Sequence, residues 1–272
     1  MISRVMRKVG SEGPDLSADD NRHQVAPERS NEISQEDRAS LGARGSQHRA
    51  ATGNVSSVAR LLHPTLTLEN AFYEYYLGVS TRGLHGFTPG DWSQAERLYY
   101  QTIPYRMIFR ILDWLALERS DVVVDLGCGK GRVLCCASLY ELGQVIGVDV
   151  REELCETAER NLRRMRRKRA PSTIIRGKAE EFDYTRGTVF YMFHPFGPNT
   201  LKTVLLQLNR GVHENPRRVR IVYVNPRHDA VLEGTDWLVR DERWSSGIGP
   251  SRCVVYPVSF WSLRSFAGAN AR

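Results

Sequence analysis

The feature that most constrains the fold is the run VVVDLGCGKGRVL at positions 122–134. Three valines and Leu126 read as a buried strand, alternate glycines read as a turn, and Arg132, Val133 and Leu134 read as the opening of a helix. Such a turn lets a ligand approach backbone that side chains would otherwise cover, and the helix behind it presents unpaired N–H groups. Dinucleotide-binding proteins place G-x-G-x-x-G at the same strand-to-helix turn. Here the glycines are Gly127, Gly129 and Gly131, and Arg132 stands where that fingerprint needs its third glycine. Asp125 ends the strand, where a carboxylate repels a pyrophosphate and attracts a cation. A second acid, Asp149, ends the next strand-like segment eighteen positions beyond Gly131. That is close to the ~20 residues at which nucleotide-binding βαβ units hold a ribose by its hydroxyls.

Around this loop the chain divides unevenly. Positions 1–58 are rich in Ser, Gly, Asn, Gln, acids and Arg, with no apolar period, which predicts a disordered tail. Positions 59–117 predict a helical N-terminal cap. Leu68, Phe72, Tyr75 and Tyr76 fall at helical spacing before Gly78, and 79–90 read as loop. A short helix is expected from Asp91 through Trp92, Ala95, Leu98 and Tyr99. Another begins at Pro104, with Met107, Ile108, Ile111, Leu112 and Leu115 on one side. Positions 118–265 alternate strands at 122–126, 144–148, 173–176, 188–193, 219–224, 237–240 and 253–259 with helices at 131–142, 152–168 and 199–208. Such alternation predicts right-handed crossovers and a doubly wound α/β fold with a mostly parallel seven-stranded sheet. The last two strands lack a helix between them, so they are expected to form an antiparallel hairpin.

Composition removes other classes. No apolar run approaches the ~18 residues of a membrane-spanning helix. Met1 to Gly10 lacks the apolar core of a secretory signal, and Glu12, Asp15, Asp19 and Asp20 oppose a transit peptide. The five cysteines, Cys128, Cys135, Cys136, Cys155 and Cys253, are odd in number and form no C-x-x-C pair. They argue for reduced thiols in a cytoplasmic protein and against a metal site. The net charge of +7 equals the seven bases between Arg160 and Arg169. The remainder is therefore neutral, which disfavours a broad nucleic-acid groove. The stripe Leu154, Ala158, Leu162 and Met165 is expected to face the sheet, with the basic end solvated at the edge away from the ligand. Docking of that end to an acidic protein or a nucleic-acid backbone is the lesser reading.

The loop, the second acid and the βα alternation together resemble the class I, Rossmann-like S-adenosylmethionine-dependent methyltransferases over about residues 100–260. The resemblance implies S-adenosylmethionine as cofactor, whose ammonium and sulfonium suit Asp125. By that likeness Asp125, Gly127 and Gly129 lie beside the methionine part, Cys128 and Gly131 complete the loop, and Asp149 holds the ribose. After the third strand the family's G-D-A-like turn contacts adenine. Here the segment reads IRGKAEEF at 175–182, with Lys178 in the acidic position. An ammonium cannot accept the adenine amino proton, so the contact passes to Glu180 or to backbone around Ala179.

The fourth strand ends in FYMFHPFG at 190–197, which looks like the [DN]-P-P-[YF] or N-P-F element of amino-group methyltransferases. His194 stands where Asn or Asp would be. The likeness puts His194, Pro195 and Phe196 beside the methyl acceptor, His194 either taking a proton or shaping the turn. Asn225-Pro226 repeats the polar-proline ending one strand later, and Tyr100 and Thr102 match a segment that folds over the methionine end in many relatives. The implied function is methyl transfer to an acceptor that the sequence leaves open, N-methylation favoured over O-methylation. Two other readings are a non-catalytic protein of the same fold, suggested by Lys178 and His194, and an NAD-dependent oxidoreductase, opposed by Asp125 and Arg132.

Overall fold

Val122–Leu126 (β1) forms the centre of a sheet because its side chains are apolar on both faces except for Asp125, and all but Val122 are fully buried. The structure is a computed structural model that describes residues 63–82, 102–249 and 252–264, all within one unit spanning 51–272. The tail expected at 1–58, the helix expected at 91–99 and Tyr100 lie outside the described residues. Gln144–Asp149 (β2) and Val189–Phe193 (β4) flank β1 in parallel. Ser172–Arg176 (β3) continues the parallel sheet beyond β2, and Arg220–Val224 (β5) continues it beyond β4. Val258–Leu263 (β9) runs antiparallel to β5, and Leu238–Trp244 (β6) antiparallel to β9. The order is β3-β2-β1-β4-β5-β9-β6. It reverses between β1 and β4, so a crevice opens at the carboxyl ends of those two strands.

Helices cover both faces. Pro198–Glu214 (α5) lays Leu201, Val204, Leu205 and Leu208 into one apolar cluster with Val124, Leu126, Phe190, Met192, Ile221, Tyr223 and Trp261. Arg132–Ala137 (α3) and Glu152–Arg164 (α4) line the other face, and Tyr105–Trp114 (α2) packs beside α3. The expected stripe of Leu154, Ala158, Leu162 and Met165 is buried. The basic run does not continue the helix as expected to 168, because α4 stops at Arg164 and the chain turns back. Arg166 N donates to Leu77 O at 2.9 Å, Arg169 N donates to Ser138 O at 2.7 Å, and Arg167 lies over the Tyr76 ring at 4.6 Å. Arg160 and Arg163 pair with Glu156 and Glu159 one turn earlier.

His63–Leu77 (α1) ends at Gly78, whose φ of +74° suits a glycine cap. Its buried face differs from the one its aromatic spacing suggests. Leu68, Phe72 and Tyr75 are exposed, while Tyr73, Glu74 and Leu77 are buried. Tyr73 stacks on Tyr105 at 5.1 Å and meets Phe109 at 5.4 Å. Aromatic residues occur nearly all round this helix, so periodicity alone selects no face.

The carboxyl end of the chain also departs from expectation. The strand expected at 253–259 is two elements, Arg252–Val254 (β8), paired with Gly247–Gly249 (β7) in a small ribbon, and β9 from Val258. Pro257 lacks a donor for a ladder and so marks where β9 begins. A five-residue helix, Asp229–Glu233 (α6), follows β5 and had no periodic signal long enough to read.

Candidate active site

The glycine loop leaves β1 with left-handed backbone at Gly127 (φ +81°), Gly129 (+53°) and Gly131 (+77°). Gly127 N and Cys128 N donate to Val148 O at 2.8 and 3.0 Å, tying the loop to the end of β2. Asp149 closes the arrangement, since Oδ2 accepts from Gly129 N at 2.9 Å and Oδ1 from Arg151 N at 3.0 Å. A side chain at Gly127 would meet Pro195 Cβ at 2.7 Å, and one at Gly131 would meet Ala158 at 3.1 Å. Thus Gly127 is needed partly because the β4 exit packs on the loop, and Gly131 because α4 does. Cys128 packs across Gly147, and burial, reinforced by Asp125 and Asp149, holds its thiol protonated.

Asp125 is fully buried between these parts. Burial, with Asp149 adding repulsion, pushes its carboxyl from 3.8 up to about 8. Among the described residues no hydrogen bond reaches that carboxyl. Beside it in register on β4, the buried hydroxyl of Tyr191 has no partner among the described residues, and burial followed by Asp125 pushes its pKa well up. A desolvated acid with a neighbouring acid and an unpaired hydroxyl fits a ligand bearing an ammonium and a sulfonium.

Arg132, which excluded a dinucleotide fingerprint, has a structural partner set of its own. Its guanidinium donates to Thr81 Oγ1 at 2.7 Å and Ile103 O at 3.0 Å, stacks on Tyr105 at 4.6 Å and lies 3.5 Å from Glu74 Oε1. Glu74 also accepts from Thr81 N and Oγ1, both at 2.8 Å, and from Arg82 Nε at 2.6 Å. Lys130 Nζ donates to Arg82 O at 2.8 Å. The half-buried Thr102 sits beside Ile103 at the margin of this network. Ala179 is buried in a short 3-10 turn after β3, its carbonyl accepting from Tyr184 Oη at 2.8 Å. Glu180 is half-buried next to it, and Lys178 turns outward to Glu181 at 3.3 Å.

At the β4 exit His194 has φ +41°, and one strand over Asn225 has φ +52°. A following proline disfavours this backbone, so both turns store strain of about 1–3 kcal/mol. Asn225 N donates to Pro257 O at 2.8 Å, which brings the segment before β9 to the same edge. His194 Nδ1 lies 3.0 Å from Tyr223 Oη, and the His228 ring centre is 5.1 Å from that of His194. Phe193 meets Tyr256 at 5.1 Å. Pro195 lies on the glycine loop, and the half-buried Phe196 packs on the α5 cluster. Tyr223, His228 and Tyr256 were missed from sequence. The one available signal was Tyr223, a polar tip at the carboxyl end of an otherwise apolar strand.

The family described as Methyltransferase domain matches residues 123–214, the stretch from β1 to the end of α5. A protein-lysine N-methyltransferase of Saccharolobus islandicus is 28% identical over 102 residues, covering 37% of this chain and 63% of the relative. A 23S rRNA (uracil(1939)-C(5))-methyltransferase of Marinomonas sp. is 32% identical over 77 residues, covering 28% of this chain and 16% of the relative. The chain therefore spans less than two thirds of either relative's length. Among solved structures, an S-adenosylmethionine-dependent O-methyltransferase of Thermotoga maritima aligns with a TM-score of 0.46 at 19% identity, covering 60% of this chain and 66% of that one.

Proposed function

We propose that this chain, residues 123–214 of which match the methyltransferase domain family, is a class I S-adenosylmethionine-dependent methyltransferase that acts on an amine nitrogen, on a protein side chain or a small molecule. The observation that carries the reading is Asp125, a fully buried carboxyl without a hydrogen bond among the described residues, set beside Asp149 where the sheet opens. When bound, S-adenosylmethionine supplies an electrophilic methyl group on a sulfonium. Asp125 would face the cationic methionine part, with Gly127, Cys128, Gly129 and Gly131 leaving room for it. Asp149 retains lone pairs for ribose hydroxyls beyond the two amides it already accepts. Ala179 and Glu180 would border the adenine.

The acceptor would enter at His194, Pro195 and Phe196. Pro195 joins this exit to the glycine loop, so acceptor and cofactor sides share one wall. Aromatic rings around the exit suit an amine on an apolar stem, which must arrive neutral to attack. The lysine-methylating relative is consistent with this choice of atom. Holding the amine in line supplies most of the rate expected from such a site.

The test uses purified full-length chain, isotopically labelled cofactor and a cell extract, with mass spectrometry locating the methylated atom. Label on nitrogen supports the proposal, whereas label on oxygen or carbon removes the N-methylation reading. His194→Ala and Phe196→Ala are expected to lower turnover at least about tenfold while leaving S-adenosylhomocysteine affinity within a few-fold. Failure of the wild-type chain to bind S-adenosylhomocysteine by calorimetry would overturn the whole reading.

A further inference from the structure

We infer that the end of α4 and the outer face of α1 together form a docking surface for single-stranded nucleic acid, which sets its phosphates on Arg164, Arg166, Arg167 and Lys168 and its bases on Phe72, Tyr75 and Tyr76. The cations lie at the far end of α3 from the glycine loop, where the carbonyl of Ser138 accepts from Arg169 N at 2.7 Å. The surface therefore owes nothing to the proposed function.

The basic run is gathered into a patch because it stops being helical. Beyond the end of α4 at Arg164 the chain lies against the end of α1. Arg166 N donates to Leu77 O at 2.9 Å, and Arg167 sits above the Tyr76 ring at 4.6 Å and donates to its hydroxyl. Arg164, Arg166, Arg167 and Lys168 are all exposed. Their neighbours in the run are already matched, Arg160 by Glu156, Arg163 by Glu159 and Arg169 by Glu141. The four pair with no acid among the described residues. Two helices end here, α1 at Leu77 and α4 at Arg164, and each carboxyl end carries about half a negative charge. The helix dipoles thus offset about one of the four positive charges and leave about three for a partner.

The rings beside these cations select the kind of polyanion. Tyr76 stacks on Phe72 at 6.0 Å with the planes 17° apart. Phe72 is 44% exposed and Tyr75 80%, whereas the buried side of α1 is Tyr73, Glu74 and Leu77. Phe72 stands three and four residues before the two tyrosines, so the three rings are neighbours on the helix surface. An acidic peptide would use the cations and leave the rings in water. A single strand uses both, since its bases stack on aromatic faces while its phosphates meet arginine and lysine. A duplex fits poorly because its bases already stack on one another.

The experiment is fluorescence anisotropy of the full chain with labelled single strands of RNA and of DNA of about twelve nucleotides, read at several salt concentrations. Four phosphate contacts give an expected slope of log K on log salt of about −3. Replacing two of them, Arg164→Gln with Lys168→Gln, is expected to flatten that slope by about 1.4. Tyr75→Ala and Phe72→Ala are each expected to weaken binding about fivefold or more with the slope unchanged. All four side chains are exposed, so the variants are expected to keep the wild-type circular dichroism spectrum. Binding of either strand with these responses supports the inference, and the tighter strand identifies the sugar. Absence of binding to both strands at low salt, an unchanged slope in the double variant, or indifference to loss of the rings would each overturn it. Equal affinity for a polyglutamate peptide would overturn it too, and would make the patch a surface for acidic protein.

Discussion

Asp125 binds a proton in the folded chain that it does not bind when unfolded, because burial and Asp149 raise its carboxyl from 3.8 to about 8. The contribution of this bound proton to stability is fully present below about pH 4 and is lost as pH rises through about 8. Asp125→Asn keeps a neutral group of the same size. It is expected to raise the melting temperature of the ligand-free chain at pH 8 to 9, with a gain that shrinks towards pH 5. The same change should weaken S-adenosylhomocysteine binding at least about tenfold, since charge-assisted contacts are worth about 1.5–3 kcal/mol. Scanning calorimetry and titration calorimetry read the two effects, and a variant that is less stable at pH 8 to 9 would refute the electrostatic account. The arrangement of the loop residues and both acids was legible because one short stretch of chain sets it. The role of Arg132 was not, because its partner Glu74 lies 58 positions away and no local pattern links them. Tyr223 was hidden for the same reason, its hydroxyl meeting a histidine 29 positions earlier.

Among elements, the contact of α1 with the glycine loop is the one most open to test. Arg132 and Glu74 are 4% and 5% exposed, so removing one partner leaves a charge in a dry site. Arg132→Met is expected to cost about 3–5 kcal/mol. The pair Glu74→Gln with Arg132→Met should cost less than the sum of the two single changes, because each single change strands the other group. Denaturant unfolding of the four proteins measures this, and strict additivity would mean that the network is not coupled. The five parallel strands were readable to within a residue or so, as were the starts of α3 and α4, because buried parallel strands are short apolar runs bounded by turns. Errors fell where the pattern continued past a physical stop. The expected helix to 142 ends at Ala137, where Leu139 N and Tyr140 N bond three residues back and tighten the turn. The expected last strand ran through Pro257, whose missing donor starts β9 a residue later.

For the unit as a whole, the question is whether the N-terminal helices and the sheet fold together. Two sets of contacts join them at separated places. Glu74, Thr81 and Arg82 reach the glycine loop through Arg132 and Lys130, while Trp114 at the end of α2 meets Trp244 on the edge strand at 5.7 Å and Phe260 at 5.9 Å. Trp244 in turn lies 4.7 Å from Phe260. Because α2 runs from the Arg132 network at Tyr105 to this aromatic cluster at Trp114, releasing the helices would expose core at both ends and strand Arg132 without Thr81. A single cooperative transition is therefore expected, with far-ultraviolet circular dichroism reporting helices and tryptophan fluorescence reporting the Trp114–Trp244 contact at the same midpoint. S-adenosylhomocysteine binds only the folded state, so at a hundredfold excess over Kd it should add about 2.7 kcal/mol and move both midpoints equally. A ligand that moved the fluorescence midpoint but not the helical one would show that the helices unfold apart from the cofactor site, and the coupling through Arg132 would then be too weak to carry the argument.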